Sequence, residues 1–163
     1  MKKILLALMA IFAFGLQNVC AQDAPLKIVT NHPDFSIKVK RCAASGKTVI
    51  IDLILNNNGT NDVENVTAGG GEFGRAVAYD DEGNIYEVNA IKVKVANKPE
   101  YTKWETDKFN IPSGVPMKLS VQLEGVPQSA ESIARLKLVL KCSVWGLNDD
   151  KPVKINNIPI TRD

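Results

Sequence analysis

Histidine is almost absent from this chain: His32 is the only one in 163 residues. A Ser or Cys nucleophile ordinarily hands its proton to a histidine, so nucleophilic catalysis has little to work with. No G-x-S-x-G segment occurs, and His32 stands in an Asn31-His32-Pro33 lead-in. Aromatic residues make up 6% of the chain, too few to form a platform on which nucleic-acid bases would stack. No C-x-x-C pair occurs, so neither the cysteines nor the lone histidine has metal-ligand spacing. Beyond the N-terminus, no window long enough for a helix carries a 3.6-residue apolar period. These absences predict no catalytic residues, no metal site and no cofactor.

Charge of one sign is missing too, with 20 Lys and Arg against 18 Asp and Glu. The small excess is Lys2 and Lys3, which precede an apolar run from Ile4 to Leu16 and then Val19-Cys20-Ala21 before Gln22. A short basic start, an apolar stretch and small side chains at the end describe a secretory signal peptide over residues 1–21, cut between Ala21 and Gln22. The run is too short to span a bilayer. The exported chain is therefore expected to lack a transmembrane segment and to be periplasmic or extracellular. Lipid anchoring through Cys20 is the minor alternative, because Gln17, Asn18 and Val19 lack the leucine and small groups that lipoprotein sites use. Without the leader, 18 basic residues meet 18 acidic ones, leaving no overall field to draw in DNA, RNA or an anionic membrane. Two cysteines remain, Cys42 and Cys142. An even pair in an oxidising compartment predicts a disulfide, which over so long a loop would add roughly 4–5 kcal/mol in the chain-entropy model. Two buried thiols are the other reading.

The chain after Gln22 reads as β throughout. Residues 22–34 form a lead-in whose stretch between Pro25 and Pro33 suits a sheet edge. Ile37-Lys38-Val39-Lys40 alternates apolar and basic side chains, the period of a half-exposed strand. Val49 to Leu55 is apolar at every odd position and is bounded by Ser45-Gly46 and Asn56-Asn57-Asn58-Gly59. Arg75 to Tyr79 and Ile85 to Val95 form a hairpin around Asp80-Asp81-Glu82-Gly83-Asn84. The second arm changes phase at Ala90, through a bulge or a split into two strands. Leu119, Val121 and Leu123 make one inward row, and Leu136, Leu138, Leu140 and Cys142 another. Val153 to Ile160 ends the series with a slip at Asn156-Asn157, and one helical turn fits between Pro127 and Ile133. Seven or eight short strands with regular turn signals predict an all-β sandwich or barrel. A disulfide between an early and a late strand favours the sandwich.

Several stretches resemble a known family. Ile37-Lys38-Val39, Cys42, Gly46 to Asp52 and Asn56 to Gly59 are similar to the opening of immunoglobulin-like domains in small secreted bacterial proteins. Ala78 to Tyr86 resembles the central hairpin of that group, and Ile111 to Lys118 the linker before its late strand. The resemblance covers most of Phe35 to Ser143. It implies an immunoglobulin-like β-sandwich over residues 35–163 without an established activity, some members being described as antigens or adhesins. It carries over no catalytic or ligand residue.

The remaining motifs have local explanations. Gly69-Gly70-Gly71-Glu72-Phe73-Gly74 satisfies G-x-G-x-x-G, but a dinucleotide site needs a strand before it and a helix after it. Here an Asn- and Thr-rich stretch precedes and a strand pattern follows, so a flexible loop or bulge is expected. Asp80-Asp81-Glu82-Gly83 lacks the alternate spacing of a calcium loop and has Asn89 where the closing Glu would stand; a hairpin turn explains it, with weak surface calcium as the alternative. Asn58-Gly59-Thr60 and Asn65-Val66-Thr67 match a eukaryotic glycosylation pattern and are assigned no role. The aromatics Tyr101, Trp104 and Phe109, with Trp145, form the candidate binding surface, since Tyr and Trp anchor partners at small entropic cost. Either tryptophan capping the core is the competing reading. The expected function is a non-enzymatic, exported module that binds a protein or glycan in the cell envelope or outside it. A structural domain that pairs through an edge strand is the second reading, and a secreted hydrolase with paired carboxylates the third.

Overall fold

The computed structural model describes residues 24–72 and 75–162. The expected leader, Cys20 and the Ala21–Gln22 junction lie outside the described residues. Twelve strands and no helix are present among the described residues. They are β1 (Lys27–Val29), β2 (Phe35–Ser45), β3 (Thr48–Asn57), β4 (Val63–Gly69), β5 (Val77–Tyr79), β6 (Ile85–Tyr86), β7 (Ile91–Val95), β8 (Phe109–Ile111), β9 (Met117–Glu124), β10 (Ser132–Lys141), β11 (Val153–Pro159) and β12 (Thr161–Arg162). The first sheet runs β1-β11-β10-β4-β8, with β5 also on β10 and β6 on β5. The second runs β12-β2-β3-β9-β7. All pairings are antiparallel except β12 with β2.

This is an all-β, sandwich-like architecture, held by the alternating rows visible in the sequence. Val49, Ile51, Leu53 and Leu55 of β3 are buried beside Leu119, Val121 and Leu123 of β9 and Ile91 and Val93 of β7. Leu136, Leu138 and Leu140 of β10 and Val153 and Ile155 of β11 belong to the same apolar cluster. Each such side chain contributes roughly 1.5–3 kcal/mol by leaving water, so the core needs no covalent help.

None is present. Cys42 and Cys142 are buried free thiols, a correction to the expected disulfide, and topology supplies the reason. Cys142 exchanges two backbone hydrogen bonds with Leu147, each 3.0 Å, closing a turn whose Trp145 stacks on Phe35 with ring centroids 4.7 Å apart. That turn therefore sits over the start of β2. Cys42 lies seven residues further along the same strand, about 20 Å away at roughly 3.3 Å per residue, whereas a disulfide joins Cα atoms within about 7 Å. Burial pushes the Cys42 thiol up to about 12, against a weaker pull from Arg162. Cys142 does continue the inward row of β10, but into a different end of the core.

The other outcomes are local, some departing from the sequence reading and some following it. Strand β4 lies in the Asn- and Thr-rich stretch where none was expected. A left-handed residue, Asn65 (φ 58°), shifts its pairing with β8 between Val63 and Val66 and hides the alternation. The arm from Ile85 to Val95 splits into β6 and β7, with Val88 also left-handed (φ 50°). Residues Pro127 to Ala130 make a hydrogen-bonded turn rather than a helical one. The slip expected at Asn156-Asn157 coincides with φ 58° at Asn157, and β1 pairs with β11 at the sheet edge.

The Asp80 turn closes the β5–β6 hairpin. Asp80 is buried and accepts hydrogen bonds from the Glu82 amide at 3.1 Å, the Asn84 amide and side chain at 2.8 Å each, and the Tyr86 hydroxyl at 2.6 Å. Burial alone would raise this carboxyl; the donors, Tyr86 foremost, outweigh it and hold Asp80 below the usual range. Asp81 instead ties the hairpin to β10, accepting from the Glu131 and Ser132 amides at 3.1 and 3.0 Å. Both carboxylates are thus occupied by protein donors, and no three metal-binding side chains converge among the described residues.

The glycine run is a tight crossing, which corrects the flexible-loop expectation for its described part. Gly70 and Gly71 are buried, and both carry the chain from the first sheet onto the second. Gly70 N–H donates to the Trp104 carbonyl at 2.9 Å and Gly71 N–H to the Ile91 carbonyl at 3.1 Å. A Cβ on Gly70 would lie 2.5 Å from the Lys103 carbonyl, and one on Gly71 would collide with the Val88 carbonyl.

Three outcomes follow from these features. Gly71→Ala should cost about 3 kcal/mol in urea unfolding because backbone must move, against about 1 kcal/mol for Gly46→Ala, where only a left-handed φ is penalised. Reductant should leave the thermal midpoint unchanged, and alkylation of Cys42 should require denaturation; a reductant-sensitive midpoint would restore the disulfide. Tyr86→Phe should cost about 1.5–3 kcal/mol at neutral pH. Because the Asp80 carboxyl is depressed in the folded state, that cost is full above its unfolded value of about 3.9 and is lost as pH falls from there through the lower folded value. A cost that stayed constant down to pH 2 in acid titrations of both proteins would contradict the assignment.

Candidate functional site

Residues 96–108, joining β7 to β8, form a strap across the open side of the sandwich. Its course is set by backbone pairing. Thr102 exchanges two hydrogen bonds with Val93 on β7, each 2.8 Å, while Thr106 N–H donates to Ala68 on β4 at 2.8 Å. Between them the Lys103 and Trp104 carbonyls accept from Glu72 at 3.0 Å and Gly70 at 2.9 Å. The strap is therefore stitched to both sheets, and the absent side chain of Gly70 is what lets it approach.

Three of the four aromatics singled out in the sequence lie on or beside this strap. Trp104 is 40% exposed, with the Lys103 ammonium 5.2 Å from its ring centroid. Tyr101 is half-buried, and Lys94 of β7 stands 4.5 Å from its ring. Cations over aromatic faces orient both groups. Phe109 opens β8 and packs its half-buried ring against the core. Trp145 is elsewhere and 7% exposed, stacked on Phe35. It is core, and the structure removes it from the candidate surface.

The strap separates two hollows. One, about 390 Å³, is lined by Lys98, Glu105, Asp107 and Phe109 among others. The other, about 510 Å³, is lined by Lys92, Tyr101, Lys103, Trp104 and Glu124. Several carboxylates in and around them are paired with lysines. Glu105 accepts from the Thr67 hydroxyl at 2.7 Å and lies 3.1 Å from Lys141. Glu124 lies 2.7 Å from Lys92, and Glu72 2.9 Å from Lys103. The Thr67 hydrogen bond holds Glu105 below the ordinary range, and the Lys92 hydrogen bond does the same for Glu124. The mosaic offers exposed ring faces beside fixed charges of both signs.

Sequence reasoning missed the lysines and acids of this mosaic and the glycines that seat it. Lys92 and Lys94 showed only as outward positions of a strand. Gly70-Gly71 was visible as a motif, yet its meaning depends on the strap it meets. Asp52 was also missed as a charged group; on the outer side of β3 it accepts from Ser120 at 2.6 Å and lies 3.2 Å from both Arg41 and Lys118. Its burial would raise the carboxyl, but these partners prevail and lower it.

Among known proteins, no family model and no curated protein matches this chain. Among solved structures, a family 123 glycoside hydrolase from Clostridium perfringens, determined in a study of glycolipid glycan hydrolysis, is similar at 12% identity with a TM-score of 0.39. The likeness covers 85% of this chain and 26% of that one, so the chain spans about a quarter of the hydrolase's length.

Proposed function

We propose that the chain is an exported, non-enzymatic recognition module of immunoglobulin-like architecture that binds a protein or glycan of the cell envelope or exterior. The observation carrying this reading is Trp104, a large ring 40% exposed on a strap that backbone hydrogen bonds tie to both sheets. An anchor held in place before binding loses little freedom when a partner arrives. Tyr101 and the flanking Lys and Glu pairs surround it with groups suited to a polar rim.

The hydrolase reading is supported less well. A glycosidase needs one carboxyl kept protonated by its surroundings, whereas Glu105 and Glu124 beside the hollows are both held ionised. Edge-strand assembly is also supported less well. Among the described strands, β1, β8 and β12 have three, three and two residues, and the free side of β7 is interrupted at its middle by the bridge from Val93 to Thr102. Edges that short or interrupted give a partner strand little to extend, although β2 is covered by β12 only at Ala43 and Ala44.

The test is capture from envelope extracts and binding to a glycan array, comparing the protein with the double variant Tyr101→Ala, Trp104→Ala. Binding should weaken at least about tenfold, the effect of losing roughly 1.4 kcal/mol, while the thermal midpoint stays near that of the parent. Full retention of binding, or a variant that no longer folds, would overturn the assignment of these rings to recognition. Concentration-dependent oligomers in light scattering, with no captured ligand, would favour assembly instead.

A further inference from the structure

The outer face of the first sheet carries a concentration of charge that the fold leaves uncompensated. Cross-strand register places Lys137 of β10 directly opposite Lys154 of β11. The next outward row runs Lys27, Asn156, Arg135 and Tyr79 across β1, β11, β10 and β5. Their neighbours Leu136 and Ile155 point into the core, so these side chains share the solvent face. Lys27, Arg135 and Lys154 are exposed and Lys137 half-exposed. Among the described residues none of the four takes part in an ion pair, and neither row contains a carboxylate. Arg135 makes one hydrogen bond here, to Asn156 at 3.2 Å.

Directly opposed residues have Cβ atoms about 5 Å apart, and like charges so placed destabilise a sheet. Elsewhere the protein avoids this: Lys92, Lys103 and Lys141 each meet a carboxylate. We infer that this face binds an acidic polysaccharide, whose carboxylate or sulfate groups supply the missing counter-charge. Strands are about 4.8 Å apart, so the cations spread over roughly 10 Å from β1 to β10, and Tyr79 on β5 extends the row to roughly 15 Å. An extended, repeating polyanion can follow such an array, while a compact anion would touch only part of it. The same row adds an amide, Asn156, for hydroxyl groups, and an exposed ring, Tyr79, for the apolar face of a sugar. That combination favours a charged glycan over a bare anionic surface. The face is separate from the Tyr101–Trp104 strap, so this inference stands or falls independently of the function proposed above.

The experiment titrates the protein and the variant K137Q/K154Q with polygalacturonate, dextran sulfate and neutral dextran at about 0.15 M salt, where surface charge acts over about 8 Å. At least one acidic polymer should bind the parent, neutral dextran should not, and the variant should lose at least about tenfold in affinity. The variant's thermal midpoint should stay level or rise, because a repulsive pair is gone. Trp104→Ala should leave the binding intact. No binding to either acidic polymer, equal binding by the variant, or loss only in Trp104→Ala would overturn the inference. So would a preference for phosphatidylglycerol vesicles over both polymers, which would identify a lipid surface as the partner.

Discussion

Backbone meeting backbone at Gly70 and Gly71 is the contact on which the exposed side of this protein depends. Strand β4 belongs to one sheet, β7 to the other, and the strap from residue 96 to residue 108 has to lie against both. Any side chain at the crossing would occupy space already held by the Lys103 and Val88 carbonyls. With none, three chain segments hydrogen-bond to one another directly. The rings of Tyr101 and Trp104 are then presented from a rigid support, which a loop fixed only at its ends would not provide.

Charge is partitioned in a way that the balanced total conceals. Among the described residues, twelve lysines and arginines lie within strands, against three acids, Asp52, Glu64 and Glu124. The other described carboxylates sit between the strands, where Asp80 accepts from amides of its own turn and Asp81 from amides at the start of β10. Acids thus stabilise the chain's reversals while cations line the outward rows of the sheets. A net charge of only +2 excludes a strong long-range field, but it does not exclude a basic face, because screening confines each group's influence to its neighbourhood.

Legibility in the sequence followed period and turn chemistry. Strands β3, β9 and β10 were readable because an inward row of Val, Ile and Leu alternates with polar residues. The β5–β6 hairpin was readable because Asp, Gly and Asn mark a reversal. Strand β4 was not, since the left-handed Asn65 shifts its apolar positions out of a two-residue rhythm. Of the aromatics, Trp104 sits in a polar segment and Trp145 after a core strand, yet either could have capped the core. One ended on the strap and the other over Phe35, a choice made by which element packs against each ring. The cysteines had the same limitation: being even in number says nothing about distance, and these two lie toward opposite ends of β2.

Taken alone, the order of residues settled the all-β character of this chain, the inward faces of its main strands and the place of its sharpest turn. Those are matters of neighbours two to five positions apart, where side-chain alternation and local hydrogen bonding act. The folded arrangement decided that the thiols stay apart, that two glycines form a crossing, which tryptophan meets solvent, and that Lys137 stands opposite Lys154. Each of these depends on residues brought together from distant parts of the chain. Only the register between strands determines such meetings, and burying every apolar row at once sets that register.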